Sequence, residues 1–480
     1  MIFLDFVGTF LNKRDKRPLY YQLYNHLAHQ IQAGTIAPGE KLPGKRRAAE
    51  QLGVSVNTVD EAYQMLATEG YVEAKARSGF VVLPLQQAPA MPPASVAAGE
   101  GALATPPSVA PGQDGPWRFS FSSGGLDPEL FPLKTWARLQ REVLAGPTWL
   151  LLRGPGAGDE ALRSAIAGYL QGYRGVQCTA GDIVVGAGLE VLTGMLARLF
   201  AAEVFALEDP GYPKTGSILR NMGVALRPVA ADAKGMDPAA LQASGATVAY
   251  LTPSHQFPGG GAMGVGRRTE LLRWAADGLH YIIEDDHDSE FRFDGRPLPS
   301  MQGLDKAGRV VYAGTFTRSL APGIRAAYLV LPAQLRRQWQ QMYGDYACTI
   351  SRPQQHTLAR FISGGHFARN LNRLRAAYRR RRDALLLAVE NTFAAGSYLV
   401  ENAHTGLYFI LRLPGRNAVT LAALARTKSI GVRALDEYRS PPPGGPTPTA
   451  DALVLGYGGL TLEEIPEAAA ALWEIVRDGK

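Results

Sequence analysis

The chain has 480 residues, which predicts two or three domains at roughly 150 residues each. Its apolar content of 46% is enough to build a core, and this excludes a wholly disordered, collagen-like or coiled-coil protein. The chain has no apolar run of the roughly 20 residues that span a bilayer, no secretory signal at its start, and only two cysteines, too few for a disulfide framework. We therefore expect a cytoplasmic protein without a membrane partner. A net charge of +7 permits an anionic partner but does not prove one.

One segment differs in composition from the rest of the chain. Residues 84–116 consist mainly of Pro, Ala, Gly, Gln and Ser, and no Lys or Arg occurs between Arg77 and Arg118. Such a segment buries too little apolar surface to offset the entropy lost on ordering. The sequence therefore predicts three parts: an N-terminal domain at 1–83, a flexible linker at 84–116 and a large domain at 117–480.

The N-terminal part has the pattern of three helices followed by a hairpin. An apolar residue recurs every four positions in the first helix, at Leu19, Leu23, Leu27 and Ile31. A second short helix follows Leu-Pro-Gly, and Ser55 is placed to cap a third helix. Two apolar runs flank Lys75–Gly79, as in a short β-hairpin. This order is typical of a winged helix-turn-helix, whose third helix enters the major groove of DNA.

Several polar residues of this part are candidates for DNA contact, with cations suited to phosphates and short polar groups suited to base edges. Each one alone has a plainer explanation, as a solvated charge or a helix cap, and the set is stronger than its members. Net charge is a weak guide, because residues 1–83 hold ten Lys and Arg against eight Asp and Glu. The candidates are Arg46, Ser55, Asn57, Thr58, Lys75, Arg77 and Gly79.

The segment from Pro18 to Val82, which begins PLYYQLYNHLAHQ and ends RSGFVV, resembles the DNA-binding domain of GntR-type bacterial regulators. The resemblance implies binding to a double-stranded DNA operator. This chain departs from the family at Gly44-Lys45, which replaces a Ser or Arg-rich turn. It also has Val56 where the family usually has an Arg that reads guanine, so the base preference does not carry over.

The C-terminal part contains five short apolar strands that each end abruptly in polar or glycine-rich residues. Helical stretches separate most of them, a pattern that favours a mainly parallel sheet with both faces covered. Ligands of such sheets bind at the carboxyl ends of the strands, so the sequence predicts a site there. The strands are expected at residues 183–185, 204–207, 248–251, 281–283 and 310–314.

Motifs across this part resemble fold-type I pyridoxal-phosphate enzymes, and specifically the aminotransferase-like domain of MocR-type regulators. They are RGPGAGDEALRSAIAGYL, EDPGYP, TPSHQFPGG, EDDHDSEFRF and GTFTRSLAPGIRAAYLV. The resemblance implies an α/β protein with an N-terminal winged helix-turn-helix and a large fold-type I aminotransferase-like domain. It also implies a homodimer.

The resemblance carries over to several positions of the predicted site. Asp285 stands where the family pairs a carboxylate with the pyridine nitrogen, and Tyr212 stands near the ring. Thr315, Thr317 and Arg325 match the phosphate-binding group. The glycine turn that ends at Gly188 would supply backbone N–H groups to the same phosphate.

The departures bear directly on function. Arg318 replaces the lysine that forms the Schiff base, and a guanidinium is a very poor nucleophile. His287 replaces a tyrosine that contacts the ring oxygen, and Gly259 replaces a threonine. Glu190 follows the glycine turn, where a carboxylate is unfavourable unless it points away from the phosphate. We therefore assign no catalytic residue and expect pyridoxal phosphate, if it binds, to bind non-covalently.

The sequence favours a DNA-binding transcription regulator whose aminotransferase-like domain senses a small molecule. The effector is expected to be anionic, held by Asp285, His287, Arg318 and Arg325, either as pyridoxal phosphate or as an unrelated ligand. The alternatives are a pyridoxal-phosphate-dependent aminotransferase and a scaffold that binds nothing. No metal site is expected in residues 284–288, because adjacent strand residues point in alternating directions. The Arg379–Arg382 run is expected to form a solvated helix face.

Overall fold

The structure is a computed structural model that describes residues 18–75, 79–84, 117–232, 234–293, 298–440 and 451–479. The chain divides into two compact units, Met1–Pro107 and Ser108–Lys480. The expected linker lies outside the described residues except for Pro84, so its flexibility stays a prediction. Within the described ranges no helix has the length and apolar character that a membrane crossing requires.

The small unit has the expected order of three helices and a hairpin. Leu23, Leu27 and Ile31 form the buried face of the first helix. Gly53 ends the second helix in a left-handed conformation (φ 61°), and the side chain of Ser55 caps the third. The elements are α1 (Leu19–Gln32), α2 (Lys45–Leu52), α3 (Val56–Thr68), β1 (Val72–Lys75) and β2 (Gly79–Val82).

The large unit is built on two main sheets and two further short strands. Its strands are β3 (Phe119–Ser120), β4 (Ile183–Gly186), β5 (Val204–Asp209), β6 (Ala225–Asp232), β7 (Gly235–Met236), β8 (Val248–Leu251), β9 (Tyr281–Asp286), β10 (Val310–Thr315), β11 (Ala327–Val330), β12 (Leu399–Glu401), β13 (Tyr408–Arg412), β14 (Ile430–Gly431), β15 (Arg433–Ala434) and β16 (Ala452–Gly456). All five strands expected from the sequence are present.

Helices cover the sheets of the large unit. They are α4 (Leu133–Leu144), α5 (Glu160–Arg174), α6 (Leu189–Leu199), α7 (Pro213–Asn221), α8 (Pro238–Ala243), α9 (Val265–Asp277), α10 (Met301–Leu304), α11 (Ala333–Tyr343), α12 (Arg352–Ser363), α13 (His366–Thr392), α14 (Ala418–Thr427) and α15 (Ile465–Asp478). Separate apolar clusters fill the space between the larger sheet and the helices on its faces.

The larger sheet has the strand order β4-β11-β10-β9-β8-β5-β6-β7. Its five central strands, from β10 to β6, are parallel, and β11 and β7 are antiparallel to their neighbours. The carboxyl ends of β5, β8, β9 and β10 therefore lie at one edge. Strand β11 starts at that same edge because it runs the opposite way. This confirms the expected α/β fold with a mainly parallel sheet.

A smaller sheet of order β12-β13-β16-β15 lies toward the C-terminus. It packs with α13, α14 and α15 around an apolar cluster that includes Phe409, Leu453 and Leu472. The run Arg379–Arg382 lies within α13, and the expectation of a solvated face is wrong for Arg381. That side chain is buried, donates to the carbonyl of Gly458 at 2.9 Å, and is ion-paired with Asp127.

Candidate functional site

Asp285 lies near the end of β9, with its carboxylate buried at the edge where the parallel strands end. The hydroxyl of Tyr250 donates a hydrogen bond of 2.7 Å to Asp285 Oδ2. Among the described residues, Asp285 Oδ1 is buried without a hydrogen-bond partner. Burial raises the pKa of Asp285, and the nearby His287 and the Tyr250 bond oppose that rise. An unpartnered carboxylate oxygen of this kind can accept a hydrogen bond from a ligand N–H.

A histidine that follows the neighbouring strand also lies at this edge of the sheet. His255 follows β8, is fully buried, and holds its Nδ1 at 2.7 Å from Asp288 Oδ2. His287 Nε2 lies 3.5 Å from the same oxygen. Burial opposes the ionisation of Asp288, but the two imidazoles hold its pKa well below its usual range. His255 belongs to the site although the sequence analysis did not select it; its place after a buried strand was the available signal.

His255, His287 and Asp288 have the spacing of a possible metal site. One ligand atom from each lies within 4.8 Å of the others, in the part of the chain that the structure describes. The positive charge of Arg318 also acts on Asp288, and a cation beside the carboxylate opposes the binding of a second one. The expectation that no metal binds here stays a prediction.

The residues expected to bind phosphate lie around the ends of β4 and β10 and the start of β11. Thr315 Oγ1 lies 2.8 Å from Thr317 Oγ1, and the backbone N–H of Thr317 donates to the Thr315 hydroxyl. Arg325 adopts a left-handed backbone conformation (φ 49°), and Gly188 has φ 96°. A Cβ on Gly188 would lie 2.9 Å from Arg325 Nη2, so a side chain there would require the guanidinium to move.

Glu190 places an anion of the chain itself among the residues expected to bind phosphate. Its Oε2 lies 2.8 Å from Arg325 Nη2, and its Oε1 lies 2.7 Å from Lys214 Nζ. The hydrogen bond from Lys214, together with that from Arg325, lowers the pKa of Glu190. The carboxylate thus points toward Arg325, in the orientation that the sequence analysis judged unfavourable for a phosphate ligand.

Arg318 lies just beyond the end of β10, with its side chain half-buried. Its Nη1 donates a hydrogen bond of 2.5 Å to the backbone carbonyl of Ser123. Tyr212 remains partly exposed and packs edge-to-face against Phe257, with ring centroids 5.3 Å apart. Phe257 in turn lies 6.4 Å from the His287 ring, which links Tyr212 to the carboxylate and histidine groups.

The candidate DNA contacts of the small unit are mostly at its surface. Arg46 and Asn57 are exposed, whereas Thr58 is half-buried and its N–H donates to the capping Ser55 hydroxyl at 3.1 Å. The Ser55 hydroxyl therefore caps α3. Lys75 is half-exposed at the tip of β1, 3.6 Å from Glu73, and the start of β2 is left-handed at Gly79 (φ 88°). Arg77 lies outside the described residues.

Comparison with known proteins gives matches over both units. The family described as "Bacterial regulatory proteins, gntR family" matches residues 19–82, and "Aminotransferase class I and II" matches residues 119–470. The HTH-type transcriptional regulator YdeL of Bacillus subtilis is 34% identical over 98% of this chain and 100% of its own length. The probable rhizopine catabolism regulatory protein MocR of Rhizobium meliloti is 32% identical over 95% of this chain and 93% of its own.

Among solved structures, a kynurenine aminotransferase of Pyrococcus horikoshii matches with a TM-score of 0.66. The match covers 75% of this chain and 90% of that chain, at 23% sequence identity. At this identity the likeness establishes the fold of the large unit alone.

Proposed function

Because the chain belongs to the family of HTH-type transcriptional regulators that join a GntR domain to an aminotransferase class I and II domain, we propose that its large unit senses a small anionic effector without acting as an aminotransferase. Binding of the effector changes the affinity for a double-stranded DNA operator, through a coupling free energy of about 1–3 kcal/mol. The protein acts as a homodimer, and its operator carries two half-sites.

The observation that carries the proposal is Arg318. By the resemblance of GTFTRSLAPGIRAAYLV to fold-type I enzymes, it stands in the position where those enzymes place a lysine that attacks the cofactor aldehyde. The guanidinium stays charged and delocalised, and here it is held by the Ser123 carbonyl. Without an amine at this position, repeated amino transfer lacks both the covalent attachment and the group that moves the proton.

Lys214 is bonded to Glu190, beside the residues expected to bind phosphate, and its environment argues against a substitute role. Its Nζ is bonded to Glu190, and this bond raises the pKa of Lys214. The amine therefore stays protonated at neutral pH, and a protonated amine does not attack a carbonyl.

The site fits pyridoxal phosphate only in part. Asp285 Oδ1 suits a protonated ring nitrogen, and the hydroxyls of Thr315 and Thr317 suit a phosphate. The cofactor's ring would act as an electron sink when bound there. Glu190, however, neutralises Arg325, so a phosphate must first displace that carboxylate. A smaller anion held by Arg318 beside the Glu190–Arg325 pair needs no such displacement, so we favour an anionic effector other than pyridoxal phosphate, with non-covalent pyridoxal phosphate as the second possibility.

Binding measurements on single-site variants test the proposal. Calorimetric titration with inorganic phosphate, pyridoxal phosphate and a series of dicarboxylates should find at least one ligand. Arg318→Gln and Arg325→Gln should each weaken it by about tenfold or more, the usual value of a charged hydrogen bond. Arg138→Gln, an exposed arginine of α4, is the matched control and should leave the affinity unchanged.

Three results would contradict the proposal, and each points to a different function. An unchanged affinity in the Arg318→Gln, Arg325→Gln double variant would place the effector elsewhere. A measurable transamination rate with any common amino donor would make the protein an enzyme. The absence of binding across the whole series would favour a scaffold.

A further inference from the structure

The outward face of α3 lacks the positive charge expected of a helix that enters the DNA major groove. Its 13 residues include no Lys or Arg. Val59, Ala62, Tyr63 and Leu66 are buried against the rest of the small unit. At 100° per residue, the side opposite this buried face carries Asn57, Glu61 and Gln64, and all three are exposed.

The two carboxylates of this helix differ in whether a cation neutralises them. Asp60 is half-buried, and its Oδ1 lies 2.5 Å from Lys45 Nζ of α2. Glu61 is exposed, and within the described ranges no hydrogen bond or ion pair joins it to another residue. A bare carboxylate that faces the DNA polyanion is repelled, unless a base offers it a hydrogen-bond donor.

In the major groove, cytosine presents the N4 amino group as a donor, whereas guanine and thymine present acceptors. Adenine also has an amino donor, at N6, but its N7 acceptor lies beside that group and repels a carboxylate. Asparagine and glutamine pair with adenine, and an aliphatic side chain contacts the thymine methyl group. Arginine, whose guanidinium makes the commonest specific contact with guanine, is absent from α3. Val56 occupies the first position of the helix, with 43% of its surface exposed.

We infer that α3 reads its operator through carboxylate and amide groups, and that Glu61 accepts a hydrogen bond from a cytosine N4 amino group. Asn57 and Gln64, on the same face, read adenine. The cations at the start of α2, such as the exposed Arg46, supply phosphate contacts that offset the charge of Glu61. This inference rests on the operator binding proposed above.

Selection from a pool of randomised duplex DNA, followed by sequencing, tests the inference on the full-length protein. The wild-type protein should enrich a half-site with one position at which cytosine is preferred over thymine by about tenfold. Glu61→Gln should reduce that preference to about threefold or less, because the amide can also donate to thymine O4. Preferences at the other positions should remain.

Glu50→Gln is the matched control, since it removes the same charge from an exposed site on α2. It should change affinity for all sequences alike and leave every base preference intact. Val56→Arg is an independent variant and should add a guanine preference at one neighbouring position.

The outcomes separate the inference from the proposed function. If the wild-type protein enriches no sequence, operator binding itself is wrong, and the inference falls with it. If the protein enriches an operator but Glu61→Gln keeps every preference, the inference alone is overturned. Failure of Val56→Arg to add a guanine preference would likewise show that the first turn of α3 does not face the bases.

Discussion

In the small unit the side chains proposed to face the operator are exposed, and the side chains of Asn57 and Glu61 make no hydrogen bond or ion pair with another described residue. In the large unit the carboxylates at the end of β9 and just beyond it are buried, with Asp285 at 7% and Asp288 at 1% exposure. Substitutions on α3 should therefore change recognition at little cost in stability. Substitutions at the strand ends should reduce stability as well as ligand binding, because buried charges depend on their partners.

The largest effect should come from breaking the buried ion pair below the site. Arg174 Nε lies 2.7 Å from Asp286 Oδ2, and the guanidinium also donates to Ser254 at 2.6 Å. Arg174→Met leaves the Asp286 charge without its cation and should lower the free energy of unfolding by about 3–5 kcal/mol. Urea denaturation measures this change.

Arg138→Met is the control for this experiment, because Arg138 pairs with Glu142 at the surface. Exposed pairs of this kind contribute about 0–1 kcal/mol. Similar decreases in the free energy of unfolding of the two variants would contradict this prediction. They would show that the buried Arg174–Asp286 pair contributes no more to stability than the surface pair Arg138–Glu142.

The second effect concerns pH. Glu290 is buried, and burial raises its pKa from 4.5 to about 7. The unfolded chain releases this proton at lower pH than the folded chain, so the contribution of Glu290 to stability should fall as pH rises from 4.5 to about 7. The slope of this contribution should approach 1.4 kcal/mol per pH unit, and the contribution should be level outside that window.

Glu290→Gln keeps the shape of the side chain and removes the titration. The difference in the free energy of unfolding between wild type and variant, measured by urea denaturation at several pH values, should follow that slope. The same change at the exposed Glu129 controls for the loss of one charge. A difference that does not vary with pH would contradict the assigned role of burial.

The smallest effect belongs to the small unit. The Ser55 hydroxyl accepts the Thr58 N–H at 3.1 Å, and Ser55→Ala should cost about 1 kcal/mol. Hydrogen exchange should show weaker protection of the α3 amides, with no change in the large unit. Ser55→Asn keeps a capping acceptor and should retain most of the protection; equal losses in both variants would rule out a cap.

Features that depend on neighbouring residues could be predicted from the sequence. The apolar runs predicted the five strands. The polar residues at the ends of these runs predicted that Asp285, Thr315 and Arg318 lie at the carboxyl edge of the sheet. Gly53 and Ser55 marked the turn and the cap of the small unit, since each acts on backbone groups within a few residues.

Features that depend on distant contacts could not be predicted. Glu190 contacts Arg325 through one carboxylate oxygen and Lys214, 24 residues away, through the other. The His255–Asp288 pair joins the segments that follow β8 and β9, and no local pattern marks such a pairing. The burial of Arg381 depends on Asp127, which is 254 residues away in the chain.

The proposal that the large unit binds an effector without covalent attachment is tested most directly by an absorbance spectrum. The protein is incubated with pyridoxal phosphate, desalted and compared with Arg318→Lys. The account predicts that the wild-type protein shows no absorbance band of a lysine-bound cofactor and that the Arg318→Lys variant shows one. A retained lysine-bound band in the wild-type protein would show that another amine serves as the attachment point, and would contradict the account.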